Sequence, residues 1–299
     1  MKVVITGANS FIGKKLSDAL RREGWDIVQV SRRPFPCDEG MTQLYLPMEE
    51  YHRLGELTGG CDCFFHLAWS GTRGRTRMDR ARQDDNLRCS VNGLHAMLEA
   101  GCECVITAGS QAEYGPCTDQ ITEQTPCAPN TEYGKAKLAF YEQVQTACEK
   151  AGVAYKEPRF FSLYGPGDFA GTMVISTLTA MLENQPCRLT AGVQMWDFLY
   201  IDDAVDALVK LGTLKCANGV YNFGSGDVRQ LKDYVLEMAK ITGTHSDLQF
   251  GAIPYQKSGM VSLWPDVTKL KTELQWTPKT CFADGIRVVL RALQQENRG

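Results

Sequence analysis

Short runs of β-branched and aromatic residues alternate with longer amphipathic stretches through the first 160 residues. Val3-Val4-Ile5, Ile27-Val28-Gln29-Val30, Phe64-Phe65-His66-Leu67 and Val105-Ile106-Thr107 each read as a strand. Between them, Ile12 to Arg22 sets Leu16, Ala19 and Leu20 on one helical face, and Asp85 to Glu99 has a helical pattern too. Glu132 to Lys150 predicts a further helix, stopped by Gly152. Strand and helix in alternation predict an α/β fold, a doubly wound parallel sheet with helices on both faces. Past residue 165 the order is less regular and richer in Gly and Pro, as suits a substrate-binding lobe.

Composition narrows the class. With 43% hydrophobic and 22% charged residues, the 299-residue chain is neither disordered nor fibrous. A net charge of −3 without a Lys/Arg block argues against nucleic acid as a partner. No apolar run reaches the roughly 18 residues a membrane span needs. Met1 to Gly7 lacks the pattern of a signal peptide, so a soluble, cytoplasmic protein is expected. The twelve cysteines form no CxxC pair and have no nearby His, so free thiols are expected and a zinc site has little support. His52, His95 and His245 are isolated, and no metal is assigned. Arg73 to Arg82 is by default a solvated loop or helix start, whose charge could also face a phosphate.

Chemistry concentrates in two places. Thr6-Gly7-Ala8-Asn9-Ser10-Phe11-Ile12-Gly13 follows the first strand and opens the first helix, the setting of a dinucleotide-binding turn. Gly7 permits the tight turn, Gly13 lets the helix approach the sheet, and helix N–H groups face a pyrophosphate. Ser10 replaces the usual middle Gly, and its hydroxyl could donate to a phosphate oxygen. The second strand ends in Ser31-Arg32-Arg33, where an NAD site normally has an acidic residue on the ribose 2′-OH. Two guanidiniums there predict NADP(H), with NAD(H) as the alternative.

The second place is a proton-transfer set. Tyr133 and Lys137 lie four apart on one helical face. A free phenol has a pKa of about 10, and a neighbouring ammonium is expected to lower it. Ser110 follows the strand ending at Thr107, at the carboxyl edge where such sheets bind ligands.

With these residues in view, the chain resembles an extended short-chain dehydrogenase/reductase of the NAD-dependent epimerase/dehydratase family, from end to end. The matching stretches are the N-terminal turn, His66-Leu67-Ala68-Trp69, Gly109 to Gly115 with Ser110, Tyr133 with Lys137, and Arg159 to Gly167. Trp196 to Asp203, Asn222 to Gly226 and Asp266 to Pro278 match in the second half. The resemblance implies a Rossmann domain over 1–160 and a smaller C-terminal substrate-binding lobe over 161–299. A segment near 193–224 returns to the Rossmann sheet. It implies Ser110, Tyr133 and Lys137 as catalytic residues. Cofactor contacts fall to Gly7, Asn9, Ser10, Phe11, Ile12, Gly13, Ser31, Arg32, Arg33, Leu67, Ala68, Trp69, Asn86 and Phe161, besides Tyr133 and Lys137. Substrate contacts fall to Gln111, Glu113, Ser162, Trp196 and Lys257.

Trp196 stands where relatives often have a diphosphate-gripping Arg, and Lys257 could partly compensate. Leu44 to Met48 lacks the Asp often used on adenine. Gln111-Ala112 replaces the Asp-Glu of dehydratases, which disfavours dehydration. The expected activity is NADPH-dependent reduction of a keto-deoxysugar nucleotide. An NAD-dependent nucleotide-sugar epimerase, a reductase of non-sugar ketones and a non-enzymatic NADP(H)-sensing protein are the alternatives. Leu94, Met97 and Leu98, with Leu138, Phe140 and Tyr141, supply apolar surface for a homodimer through two helices.

Overall fold

The computed structural model of the protein describes residues 1–36, 40–255 and 260–296. Lys257, expected on the substrate, lies outside the described residues.

Eight strands form the main sheet. They are β1 (Lys2–Thr6), β2 (Asp26–Ser31), β3 (Thr42–Tyr45), β4 (Cys63–His66), β5 (Cys104–Thr107), the short β6 (Gly109–Ser110), β7 (Ala154–Phe160) and the later strand Gly219–Phe223. From one edge the order is Gly219–Phe223, β7, β5, β4, β1, β2, β3, with β6 beside β7. Every pairing is parallel. This is a Rossmann sheet. The chain winds outward in both directions from β1, so a crevice opens between the carboxyl ends of β1 and β4.

The helices follow the amphipathic pattern. α1 (Phe11–Arg22) buries Gly13, Leu16, Ser17 and Leu20. After a short α2 (Leu54–Thr58), α3 (Arg80–Glu99) begins five residues before the expected Asp85, because the Asp79 side chain accepts from the Arg82 N–H and caps it. α4 (Glu132–Ala151) starts at the Thr131 cap and stops at Gly152.

One apolar core runs from Val3 and Ile5 through Phe160 to Phe223, Tyr234, Trp276 and Phe282, crossing position 160 without a seam. The strand Gly219–Phe223 lies in the main sheet, and the helix Ile201–Thr213 packs on α1 with a Lys15–Asp202 ion pair of 3.2 Å. The buried Asp197 carboxylate accepts from the Ser225 and Gly226 N–H groups and pins that return.

A second core lies on the other face of the sheet, and it corrects the dimer surface. Leu94, Met97 and Phe140 are fully buried there, where α3 packs on α4 within one chain. Side chains spent on the monomer's core have no apolar area left to bury against a partner. Among the described residues, no disulfide joins the cysteines, no group of three or more His, Cys, Asp or Glu could hold a metal ion, and no helix is long and apolar enough to cross a membrane.

Candidate active site

The N-terminal turn is built by backbone constraints. Gly7 has a φ of +70°, and a Cβ on it would stand 2.7 Å from the Ala68 nitrogen across the crevice. A Cβ on Gly13 would stand 2.3 Å from the Gly7 carbonyl oxygen. Neither position admits a side chain: Gly7 lines the groove with bare backbone, and Gly13 lets α1 pack against the turn. Ser10 caps α1, its hydroxyl accepting from the Gly13 N–H at 3.0 Å. Its hydroxyl proton is thereby left to donate outward.

A groove of about 530 Å³ runs from this turn. Gly7, Asn9, Ser10, Leu67, Ala68 and Trp69 line its near part, and Ser31, Arg32 and Arg33 its far end. The Ser31 hydroxyl donates to the Arg33 carbonyl at 2.7 Å and shapes that end, while both guanidiniums are exposed. Arg82 also reaches it. Among the described residues, no acidic side chain lines the groove. The bare turn and the capped helix fit a dinucleotide.

Asn86 does not reach that groove. It is buried, donating to the Ser70 carbonyl at 2.8 Å and accepting from the Ser70 N–H and hydroxyl, in an adjoining recess with Arg32 and Met48. It holds the loop after β4. His66 is likewise structural. Its ring sits between the Thr6 hydroxyl at 2.8 Å and the Ser90 hydroxyl at 2.9 Å, tying β1, β4 and α3 together. Burial, then the nearby Lys137 charge, lower its pKa to about 3, so the ring is neutral.

A second cavity of about 610 Å³ adjoins the groove at Trp69, which lines both. Phe11, Ile12, Phe161, Ser162 and Trp196 face it. The Trp196 indole N–H is buried without a protein acceptor, so a ligand oxygen here would satisfy it.

The proton-transfer set clusters beside Trp69, and none of its three residues lines either cavity. Ser110 and the Tyr133 phenol are within hydrogen-bond reach. Lys137 donates to the Ala108 carbonyl at 2.7 Å, with its ammonium 3.8 Å above the Trp69 ring. Trp69 also meets Tyr133 edge to face at 6.4 Å and donates to Gln83 at 2.8 Å. Trp69 therefore positions both members of the pair.

The phenol is not acidified as the sequence suggests. Burial pushes Tyr133 up to about 12, outweighing the Ser110 hydrogen bond and the Arg77 guanidinium, which lower it. Burial also brings Lys137 down to about 8, less the pull of Glu113 and Glu157. The buried ammonium leans on Ala108 and Trp69 instead of the phenol.

Glu113 is corrected as a substrate contact, since it has no exposed surface. One carboxylate oxygen accepts the Ser110 N–H at 2.7 Å, completing a capping box. The other lies 2.9 Å from Arg159 Nε, whose hydrogen bond goes to Glu157, also at 2.9 Å. Burial and the Glu113 charge raise the Glu157 pKa. This Glu113–Arg159–Glu157 cluster supports the Ser110 turn from below. The capping half was spelled by Ser110-x-x-Glu113; the Glu157 half had no sequence signal beyond two charges in a strand. Gln111 faces a third cavity.

The model of the NAD dependent epimerase/dehydratase family matches residues 3–224. An uncharacterised UDP-glucose epimerase of Bacillus subtilis is 25% identical, over 96% of this chain and 96% of its own. A dTDP-6-deoxy-L-talose 4-dehydrogenase (NAD(+)) of Aggregatibacter actinomycetemcomitans is 24% identical, over 88% of this chain and 99% of its own. The crystal structure of UDP-glucose 4-epimerase from Thermotoga maritima with UDP-glucose shares the fold at a TM-score of 0.90 and 21% identity, covering 99% of this chain and 100% of that one. On the turn, the triad and a match across most of its length, the chain belongs to the NAD dependent epimerase/dehydratase family.

Proposed function

We propose that the protein is an NADP(H)-dependent oxidoreductase of nucleotide-activated sugars, which reduces a keto group of a deoxysugar. The observation that carries this reading is the clustering of Ser110, Tyr133 and Lys137 beside Trp69, a residue shared by two cavities, one of which ends in Arg32 and Arg33. A bound nicotinamide supplies or takes up the hydride. Tyr133, protonated at neutral pH, donates its proton to the substrate oxygen. The Ser110 hydroxyl donates to the same oxygen and polarises it. Lys137, with a pKa of about 8, carries charge at neutral pH one helical turn from the phenolate left behind. Ser162 and Trp196 hold the sugar nucleotide in the second cavity.

Arg32 and Arg33 pair with a 2′-phosphate, which supports NADP(H) over NAD(H). Steady-state rates with nucleotide-linked keto sugars test this. NADPH is expected to give a kcat/KM at least about tenfold above NADH, a difference of about 1.4 kcal/mol. Equal values would remove the cofactor assignment.

A second reading is an NAD-dependent epimerase, favoured by the name of the Bacillus relative, whereas the Aggregatibacter relative is named a dehydrogenase. Stoichiometric NAD on the purified protein, with no net consumption of reduced cofactor, would establish it. A homodimer belongs to the same proposal. The partly exposed Leu87, Val91, Leu98, Leu138 and Tyr141 leave α3 and α4 an outer apolar face. A monomer by light scattering would remove it.

A further inference from the structure

Six arginines crowd the stretch between β4 and the middle of α3. Four are neutralised by aspartates: Arg73 by Asp168 at 3.4 Å, Arg80 by Asp84 at 3.5 Å, Arg82 by Asp79 at 3.2 Å and Arg88 by Asp85 at 3.0 Å. Arg75 and Arg77 have no carboxylate partner among the described residues. These two face a third cavity of about 570 Å³, with Gln111, Asn130 and Thr131 on its other walls and, among the described residues, no acidic side chain lining it.

Arg77 is the closer to the chemistry. Its guanidinium carbon lies 4.9 Å from the centre of the Tyr133 ring, and its Nε is buried without a hydrogen bond. A buried donor on a cation, left open, is costly unless a ligand accepts from it. The turn Gly74–Met78 that carries it is braced. Gln83 donates to the carbonyls of Gly71 and Thr76, both at 3.1 Å, while accepting from Trp69. Arg77 is thus set by the same glutamine that orients the Trp69 platform.

Building on the nucleotide-sugar reading above, we propose that Arg77, with Arg75 behind it, receives a carboxylate on the sugar carbon adjacent to the reacting one. The substrate is then a nucleotide-linked sugar acid, its deoxy position on another carbon of the ring. A guanidinium fork matches a carboxylate edge to edge. Position separates this anion from the diphosphate. A cation against the proton-donating phenol meets groups within a bond or two of the reacting carbon. The diphosphate sits on the anomeric carbon, across the ring when the reaction is at C4. A neutral sugar would leave Arg77 without a partner, and the site would discriminate against it.

The test uses the full chain and sugar pairs that differ only in carboxylate against hydroxymethyl: UDP-glucuronic acid with UDP-glucose, and the same two sugars on dTDP. Calorimetry measures binding of each pair, and of UDP and dTDP alone. The acid is expected to bind at least about 30-fold tighter than its neutral partner on the nucleotide the protein accepts. Arg77→Gln should abolish that ratio while leaving the neutral sugar within about threefold, Arg77→Lys should restore part of it, and Arg75→Gln should reduce it less. Equal binding of acid and neutral sugar overturns the inference, as does an equal loss of both in Arg77→Gln. Nucleotide alone binding as tightly as the acid, and weakened by Arg77→Gln, would assign the arginine to the diphosphate and overturn it too. Binding without this selectivity leaves the proposed function standing. No binding of any nucleotide sugar sinks both.

Discussion

The two ends of the cleft are built in different ways. At the dinucleotide end, the working surface is backbone: Gly7 and Gly13 exclude side chains, and Ser10 caps the helix whose N–H groups face the groove. At the substrate end, the surface is side chains brought in by four separate segments: Ser110 after β5, Tyr133 and Lys137 on α4, Arg77 on the turn before α3, and Trp196 in the second half. Backbone geometry tolerates few changes but specifies only a generic phosphate site. Side chains can be exchanged singly, so that end sets chemistry and selectivity.

The largest separation of the two ends is expected from Tyr133→Phe. It should lower kcat by about a thousandfold, with dinucleotide affinity by fluorescence titration nearly unchanged. A parallel loss of affinity would merge the two ends and break the comparison. Next comes Arg159→Met. It strips the cation from two buried carboxylates, a change that costs about 3–5 kcal/mol in buried pairs. Urea unfolding should show that loss, since the Ser110 turn rests on Glu113 and Glu157.

Gly13→Ala probes the other end. Its methyl would press on the Gly7 carbonyl, at a cost of about 1–3 kcal/mol, and dinucleotide affinity should fall with stability. Unchanged affinity would show that the turn is not a phosphate site. Arg32→Ala with Arg33→Ala should then reduce the NADPH preference about tenfold, equivalent to about 1.4 kcal/mol, and leave NADH kinetics alone.

The last effect is acid sensitivity at the seam between the ends. His66 has a folded pKa of about 3, below its usual 6.5. Between those values the unfolded chain binds more protons than the folded one. Stability should therefore fall as pH drops from about 6.5 towards 3, by up to about 1.4 kcal/mol per pH unit. Above pH 6.5 the group contributes no slope. His66→Gln should flatten that part of the urea-midpoint profile, and an unaltered slope would refute the assignment.

The dinucleotide end was legible along the chain because it is local. The turn, its Ser10 cap and the strand before it occupy consecutive residues, and helical spacing alone sets Tyr133 and Lys137 on one face of α4. The substrate end was legible only in part. Glu113 reads as a free carboxylate until Arg159 and Glu157 close around it. Leu94, Met97 and Phe140 read as a dimer face until α3 meets α4 inside one chain.

Local periodicity and turn chemistry, which the sequence carries in short windows, determined the α/β class, the phosphate turn and the Tyr–Lys pair. Tertiary packing alone decided protonation and pairing. Burial outweighed the ammonium expected to acidify Tyr133, because the energy of a charge depends on everything folded around it. By the same rule, four arginines found aspartates while Arg75 and Arg77 were left facing a cavity.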